Sequence, residues 1–179
     1  MIKLKKFAQK HLQSEIEIIL QSERNNALPE LTLEEKAIIY KYTDDGHFVN
    51  ESLYESKGTK VSEYAKYLDY CLSKLPNFEG ITFRGSDLES FEIEKYQKAL
   101  DEKMTITEHG FISASRIKKQ ANQYRRTALF EIFSKNGKLI EKVSKFVNEQ
   151  EVIFRKNSKF RVLGIEKIDS YVYITLREI

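Results

Sequence analysis

Apolar residues recur at helical spacing through the first ~75 positions of the chain and form short alternating or continuous runs through most of the rest. Between residues 2 and 22, Ile2, Phe7, Leu12, Ile16, Ile19 and Leu20 fall roughly on one helical face. A second helix is predicted to open at Leu31-Thr32-Leu33-Glu34-Glu35, where Thr32 is an N-cap candidate and Glu35, three residues on, completes a capping-box signature. It should run to about Tyr42, ahead of a turn over Thr43–Gly46. A short helix near residues 48–56 and a longer one over 60–75, closed by Pro76, follow.

Strand-like runs begin at Gly80. They are Ile81–Arg84, Gly110–Ser113, Thr127–Phe133, Glu151–Arg155, Phe160–Ile168 and Tyr171–Leu176, rich in β-branched and aromatic residues. Helical patterns over 91–103 and 116–125 interrupt them. Helices first and strands later predict an α+β fold, not a doubly wound α/β one. With no internal repeat, low-complexity tract or linker, residues 1–179 read as a single domain.

Composition fits that reading. Hydrophobic residues make up 41% and aromatics 12%, enough for a core without disulfides. A net charge of +3 from 30 basic and 27 acidic residues gives no strong case for a nucleic-acid partner. Cys71 is the lone cysteine, so no internal disulfide forms; its helical spacing from Tyr64, Tyr67 and Leu68 predicts a buried thiol. His11, His47 and His109 are scattered, and no zinc spacing exists. Met1-Ile2-Lys3-Leu4-Lys5-Lys6 resembles a signal-peptide start, but Gln9, Lys10, His11, Gln13, Ser14, Glu15 and Glu17 interrupt the apolar stretch that should follow. No run approaches the ~20 apolar residues of a membrane span. The expectation is a soluble monomer with neither a conventional signal peptide nor a transmembrane segment.

Three short motifs can carry chemistry. Glu149-Gln150-Glu151 is one of three E-x-E triplets, with Glu15-Ile16-Glu17 and Glu92-Ile93-Glu94. The latter two lie in helical patterns, where i and i+2 side chains diverge. Glu149 and Glu151 lie where a loop enters a strand, and extended backbone would turn both to one side. Arg84 ends a strand ahead of Gly85, where its guanidinium could fork onto a diphosphate or make an ordinary surface ion pair. Phe111-Ile112-Ser113-Ala114-Ser115 sets two hydroxyls two residues apart as a strand ends; the plain alternative is an N-cap for the next helix.

In that order, Arg on one strand, S-x-S ending a second and E-x-E entering a later one, the chain resembles the R-S-E class of mono-ADP-ribosyltransferases. That family includes bacterial toxins and effectors, and enzymes by which bacteriophages modify host proteins. The likeness extends to Leu31–Glu35 with Tyr42-Thr43 and Asn50, to Leu72-Ser73-Lys74-Leu75-Pro76 leading into Phe83-Arg84-Gly85, and to Leu129–Glu131, Gly137–Ile140, Val143-Ser144 and Glu149–Phe154. It covers roughly residues 30–179, with residues 1–30 as a helix preceding the match. One departure is Ala114, where the family usually has Thr between its serines.

The resemblance implies two packed mixed or antiparallel β-sheets forming an NAD cleft, with an N-terminal helical layer. NAD is then the co-substrate, and no metal is needed. Glu151 would stabilise the oxocarbenium-like ribosyl cation, and Ser113 would position Glu151 and the nicotinamide-side ribose. Arg84 would hold the phosphates, and Gly85 would admit backbone to the nicotinamide amide. Tyr42 and Asn50 would help hold NAD, and Tyr124 would stack on nicotinamide. Glu149, acting as base, favours an arginine acceptor on a host or target-cell protein, reached in that cell's cytoplasm. Three rivals stand beside this reading. They are NAD glycohydrolysis, transfer to a nucleic acid (less favoured, with Lys118, Lys119, Arg125 and Arg126 as a basic stretch) or to a non-arginine residue, and a non-catalytic binding module. The G-x-G-x-x-G of a dinucleotide-binding Rossmann fold is absent.

Overall fold

The computed structural model describes residues 2–179. Its N-terminal layer contains α1 (Ile2–His11), α2 (Gln13–Leu20), α3 (Leu33–Asp44), α4 (His47–Glu55) and α5 (Glu63–Ser73), with a 3-10 turn at Glu23–Asn26 before α3. The stretch read as one helix over 2–22 breaks at Leu12, whose φ of −130° and ψ of 36° are not helical. Leu12 is buried at this corner, and the bend lets Leu4 and Ala8 of α1 and Ile19 of α2 all reach the core. A straight helix could bury only one stripe.

The start of α3 is the predicted one. Thr32 Oγ1 accepts from the Glu35 backbone N–H at 3.3 Å, and the Glu35 carboxylate accepts from the Thr32 N–H at 2.8 Å. Glu35 is also buried against Lys74 Nζ at 2.6 Å, which ties the start of α3 to the end of α5.

The rest is β1 (Phe78–Ser86), α6 (Ser90–Asp101), β2 (Thr105–Glu108), β3 (Ile112–Ser115), α7 (Lys118–Gln123), β4 (Ala128–Leu139), β5 (Glu151–Phe154), β6 (Ser158–Ile168) and β7 (Tyr171–Glu178). Periodicity missed β2. Its four residues carry one buried apolar position, Ile106, and they become a strand through pairing with β6, from Thr105↔Arg161 to Glu108↔Ser158. Such a strand is made by its partner and not by its own pattern.

The α+β class is the expected one, and the two expected sheets are arms of one hydrogen-bonded network. Its order is β1-β3-β5-β4-β7-β6-β2, with β1 also paired to β4. Strand β4 is common to both arms. Its first half lies between antiparallel β1 and parallel β7, while Lys138 and Leu139 pair with β5. One core joins the helical layer, through Ile38, Leu53, Leu68 and Leu72, to Phe111, Ile140 and Ile153. A second packs Tyr96 and Ala99 of α6 against Phe130, Phe154, Phe160 and Leu176. Cys71 is buried in the first, and burial pushes its thiol well above the ordinary range. No helix among the described residues is long and apolar enough to cross a membrane. Strands β3 and β5 run between the two cores, and this fixes the ends that carry Ser113, Ser115 and Glu151.

Candidate active site

Strands β3 and β5 pair antiparallel, with Ser115 opposite Glu151 and Ser113 opposite Ile153. From that register Ser113 Oγ reaches diagonally and donates to Glu151 Oε1 at 2.6 Å. Ser144 donates to the other oxygen, Oε2, at 3.2 Å. Glu151 is only 4% exposed. Burial pushes its carboxyl above the ordinary range, against the lowering influence of the two hydroxyls; Glu149 adds to the rise and Arg84 opposes it. The result is a desolvated carboxylate with both oxygens fixed.

Glu149 and Glu151 come together for a different reason from the one the sequence suggested. The backbone is not extended across E-x-E. Glu149 ends a 3-10 turn (Val147–Glu149), Gln150 is left-handed at φ 46° and ψ 55°, and Glu151 begins β5. That conformation costs a non-glycine residue about 1–2 kcal/mol. Main-chain bonds hold it, from Ser115 Oγ to the Glu149 carbonyl at 2.6 Å and from the Arg116 N–H to the Gln150 carbonyl at 3.2 Å. Ser115 does not cap α7, because Ile117 occupies the N-cap position; Ser115 Oγ accepts from the Ile117 N–H at 2.9 Å instead. The two serines therefore divide the work, Ser113 on the Glu151 side chain and Ser115 on the Glu149 main chain.

Arg84 Nη1 donates to the Ser113 carbonyl at 2.7 Å. Among the described residues it forms no ion pair, unlike the surface pairs Arg116–Glu141 and Arg155–Asp69. At Gly85 an added Cβ would lie 2.2 Å from the Ala121 carbonyl oxygen and 2.4 Å from the Arg125 nitrogen. Packing against the end of α7 therefore requires glycine there, while Gly85 still lines the cleft.

Tyr42 and Asn50 hold the entrance to β3. Asn50 Nδ2 donates to the Phe111 carbonyl at 2.9 Å, and the Phe111 N–H donates to Asn50 Oδ1 at 2.8 Å. The buried Tyr42 hydroxyl donates to the same carbonyl at 3.3 Å, and burial pushes its ionisation upward. Their polar groups are engaged with backbone while their surfaces face the cleft. Tyr124 is 56% exposed, and its hydroxyl donates to Glu149 Oε1 at 2.5 Å. That bond pushes the phenol up to about 12.

All eight residues singled out from the sequence, Tyr42, Asn50, Arg84, Gly85, Ser113, Tyr124, Glu149 and Glu151, line one cleft of about 860 Å³. Ser144 is the site residue that the sequence reading left without a role; it lies seven positions before Glu151 in a loop with no periodic signal. Among the described lining residues Arg84 is the one Lys or Arg, against six carboxylates, Glu51, Glu55, Asp87, Glu92, Glu149 and Glu151. An anion therefore has one attractive position and a cation several. The basic stretch flanks the cleft without lining it: Lys118 sits over the Phe83 and Tyr173 rings and Arg125 over Tyr171. No three His, Cys, Asp or Glu residues among those described are grouped to hold a metal.

Comparison with known proteins identifies the family. A family model described as ADP-ribosyltransferase exoenzyme matches residues 9–177, beginning well before the limit near residue 30 drawn from the motifs. The chain is similar to the NAD(+)–protein-arginine ADP-ribosyltransferase Tre1 of Serratia proteamaculans, 26% identical over 164 residues that make up 88% of this chain and 35% of that protein. It is also similar to the arginine ADP-ribosyltransferase Vis of Vibrio splendidus, 27% identical over 65% of this chain and 50% of Vis. The chain thus spans half or less of the length of these relatives. Among solved structures, the ADP-ribosyltransferase HopU1 of Pseudomonas syringae superposes with a TM-score of 0.82 at 20% identity, over 94% of this chain and 87% of that one.

Proposed function

The chain belongs to the ADP-ribosyltransferase exoenzyme family, and from that premise we propose that it splits NAD and transfers ADP-ribose to an arginine of a target-cell protein, releasing nicotinamide. The observation that carries the reading is the buried Glu151 carboxylate, fixed on both oxygens, with the second carboxylate of Glu149 beside it in the same cleft.

In this reading the diphosphate of NAD pairs with the Arg84 guanidinium, the position of the lining that attracts an anion. Glu151 lies against the nicotinamide-side ribose. As the bond from C1′ to the nicotinamide nitrogen breaks, nicotinamide leaves with the electron pair and the sugar gains positive charge. A fixed, desolvated carboxylate stabilises that charge more than a solvated one would, because no reorganisation is needed when the charge appears. Ser113 and Ser144 keep the carboxylate aimed. The acceptor guanidinium enters beside Glu149, a nitrogen lone pair attacks C1′, and the proton it must lose passes to Glu149. An arginine side chain is protonated at neutral pH, so a carboxylate at that position both attracts and activates it.

The six lining carboxylates support a cationic acceptor and oppose a polyanion, which disfavours nucleic acid. The names of Tre1 and Vis point to arginine as well. The proposal includes action as a monomer in the cytoplasm of the target cell. Water in place of the guanidinium gives NAD glycohydrolysis from the same site, and the products separate the two. Incubating the purified chain with labelled NAD and a cell lysate tests the proposal. The expected result is a discrete labelled protein band that hydroxylamine removes and that Glu151→Ala abolishes. Label that persists in Glu151→Ala contradicts it.

A further inference from the structure

The two hydroxyls on Glu151 are placed by different means. Ser113 is fixed by strand register, whereas Ser144 lies in the connection between β4 and β5, outside any strand. Ser144 is fully buried, and its Oγ accepts from the Phe146 N–H at 3.1 Å while donating to Glu151 Oε2 at 3.2 Å. Its carbonyl receives a fork from Arg24, Nε at 3.1 Å and Nη2 at 3.0 Å. Arg24 stands 120 residues earlier, in the 3-10 turn Glu23–Asn26, with its guanidinium over the Tyr40 ring at 5.5 Å. Downstream, the Lys145 N–H donates to Thr43 Oγ1 at 2.9 Å and Lys145 Nζ pairs with Asp44 at 2.5 Å, which steadies the same loop from α3.

We propose that Arg24 is a positioning residue for Glu151, acting through Ser144: the guanidinium fork fixes the Ser144 main chain, and the Ser144 hydroxyl fixes the second oxygen of the carboxylate. This rests on the reading of Glu151 as the group that stabilises the ribosyl cation. It assigns a role to the segment before α3, which the motifs alone left without one. Two nearly equal bonds to one carbonyl match the planar fork of arginine, and a lysine would supply a point charge without that geometry. The charged and titratable groups facing Glu151 are Arg84 from β1, Glu149 from the turn before β5, Tyr42 from α3 and Tyr124 after α7. Arg24 bonds to main-chain carbonyls and not to Glu151, so its effect runs through the placement of a donor and not through its charge.

The test compares wild type with Ser144→Ala, Ser144→Thr, Arg24→Ala and Arg24→Lys by two readouts. One is steady-state nicotinamide release from NAD. The other needs no turnover: the pH titration of the Glu151 carboxyl by carbon-13 NMR, its resonance assigned by its loss in Glu151→Gln. Loss of the Ser144 donor leaves the buried carboxylate with less to oppose desolvation, so Glu151 should titrate at higher pH in Ser144→Ala. Its kcat should fall about tenfold with the KM for NAD within about twofold, as for a lost hydrogen bond to a charged group. Ser144→Thr should restore most of both. Arg24→Ala should move both readouts in the same direction, with kcat down about three- to fivefold, and Arg24→Lys should fall between. If Arg24→Ala does not fold, Arg24→Lys decides. Folded Arg24 variants with wild-type kcat and titration overturn the tether, as does an unshifted Ser144→Ala. A wild type that releases no nicotinamide while the titrations shift as stated refutes the transferase reading and leaves the tether standing.

Discussion

The Tyr124 hydroxyl donates to Glu149 Oε1 at 2.5 Å, so the outer carboxylate of the cleft is already held in the free protein. A carboxylate has room for several donors, and Tyr124 on one oxygen leaves the other for an incoming guanidinium. The exposed Tyr124 ring lines the same cleft, so the hydroxyl can hold Glu149 while the ring face stays open to a ligand.

That bond gives Tyr124→Phe a selective effect. Transfer to a guanidine acceptor should fall about fivefold, the equivalent of one hydrogen bond of about 1 kcal/mol. Nicotinamide release into water should stay near the wild-type rate, because Glu151 is untouched. Parallel assays of adduct and free nicotinamide check this; equal losses in both would contradict it.

Glu151 should cost the fold stability at neutral pH. Its folded carboxyl is pushed above the ordinary range, mainly by burial. Below the unfolded value both states are protonated and nothing is lost; as pH rises through the window up to the raised value, the folded state resists ionising and is penalised. Glu151→Gln should therefore abolish activity yet melt higher than wild type at pH 7.5, with the gap closing toward pH 4. Thermal melts at the two pH values give the answer.

Gly85→Ala should damage the site through packing. The added Cβ would meet backbone atoms at the end of α7, which cannot rotate away as a side chain could. A loss of about 1–3 kcal/mol, the usual cost of overpacking, is expected in chemical denaturation. Tyr124 should shift with α7, so transfer should fall more than NAD binding does.

Asn50→Ala should behave first as a folding mutation. It leaves the Phe111 N–H without its partner and removes one donor from the Phe111 carbonyl. About 1–3 kcal/mol should be lost. If melting were unchanged while NAD affinity dropped, the side chain would serve the ligand and not the strand.

Much of this architecture was legible because local signals and tertiary structure agree. Thr32 and Glu35 cap α3 as their spacing says, and the later alternating runs are strands. Where they disagree, the missing information is long-range. Leu12 looks like one more apolar position of a helix, yet it is the corner at which α1 and α2 turn to reach one core. Strand β2 exists because β6 pairs with it. The site shows the same division. Arg84, Ser113, Glu149 and Glu151 stand out by order along the chain, while Val143-Ser144 belongs to the likeness without revealing a role and Arg24 carries no signature; the parts of both emerge only by following the hydrogen bonds outward from Glu151. Even Glu149 and Glu151, which do line one cleft, converge through a left-handed Gln150 and not through strand alternation.

The most direct test of the account is to give purified wild type, Glu151→Gln and Glu149→Gln both NAD and agmatine, a small free guanidine, and to follow nicotinamide release and ADP-ribosyl-agmatine by mass spectrometry. The account predicts both products from wild type and neither from Glu151→Gln. From Glu149→Gln it predicts nicotinamide with little adduct. Adduct formation that survives in Glu151→Gln, or a folded wild type that yields neither product, would contradict it.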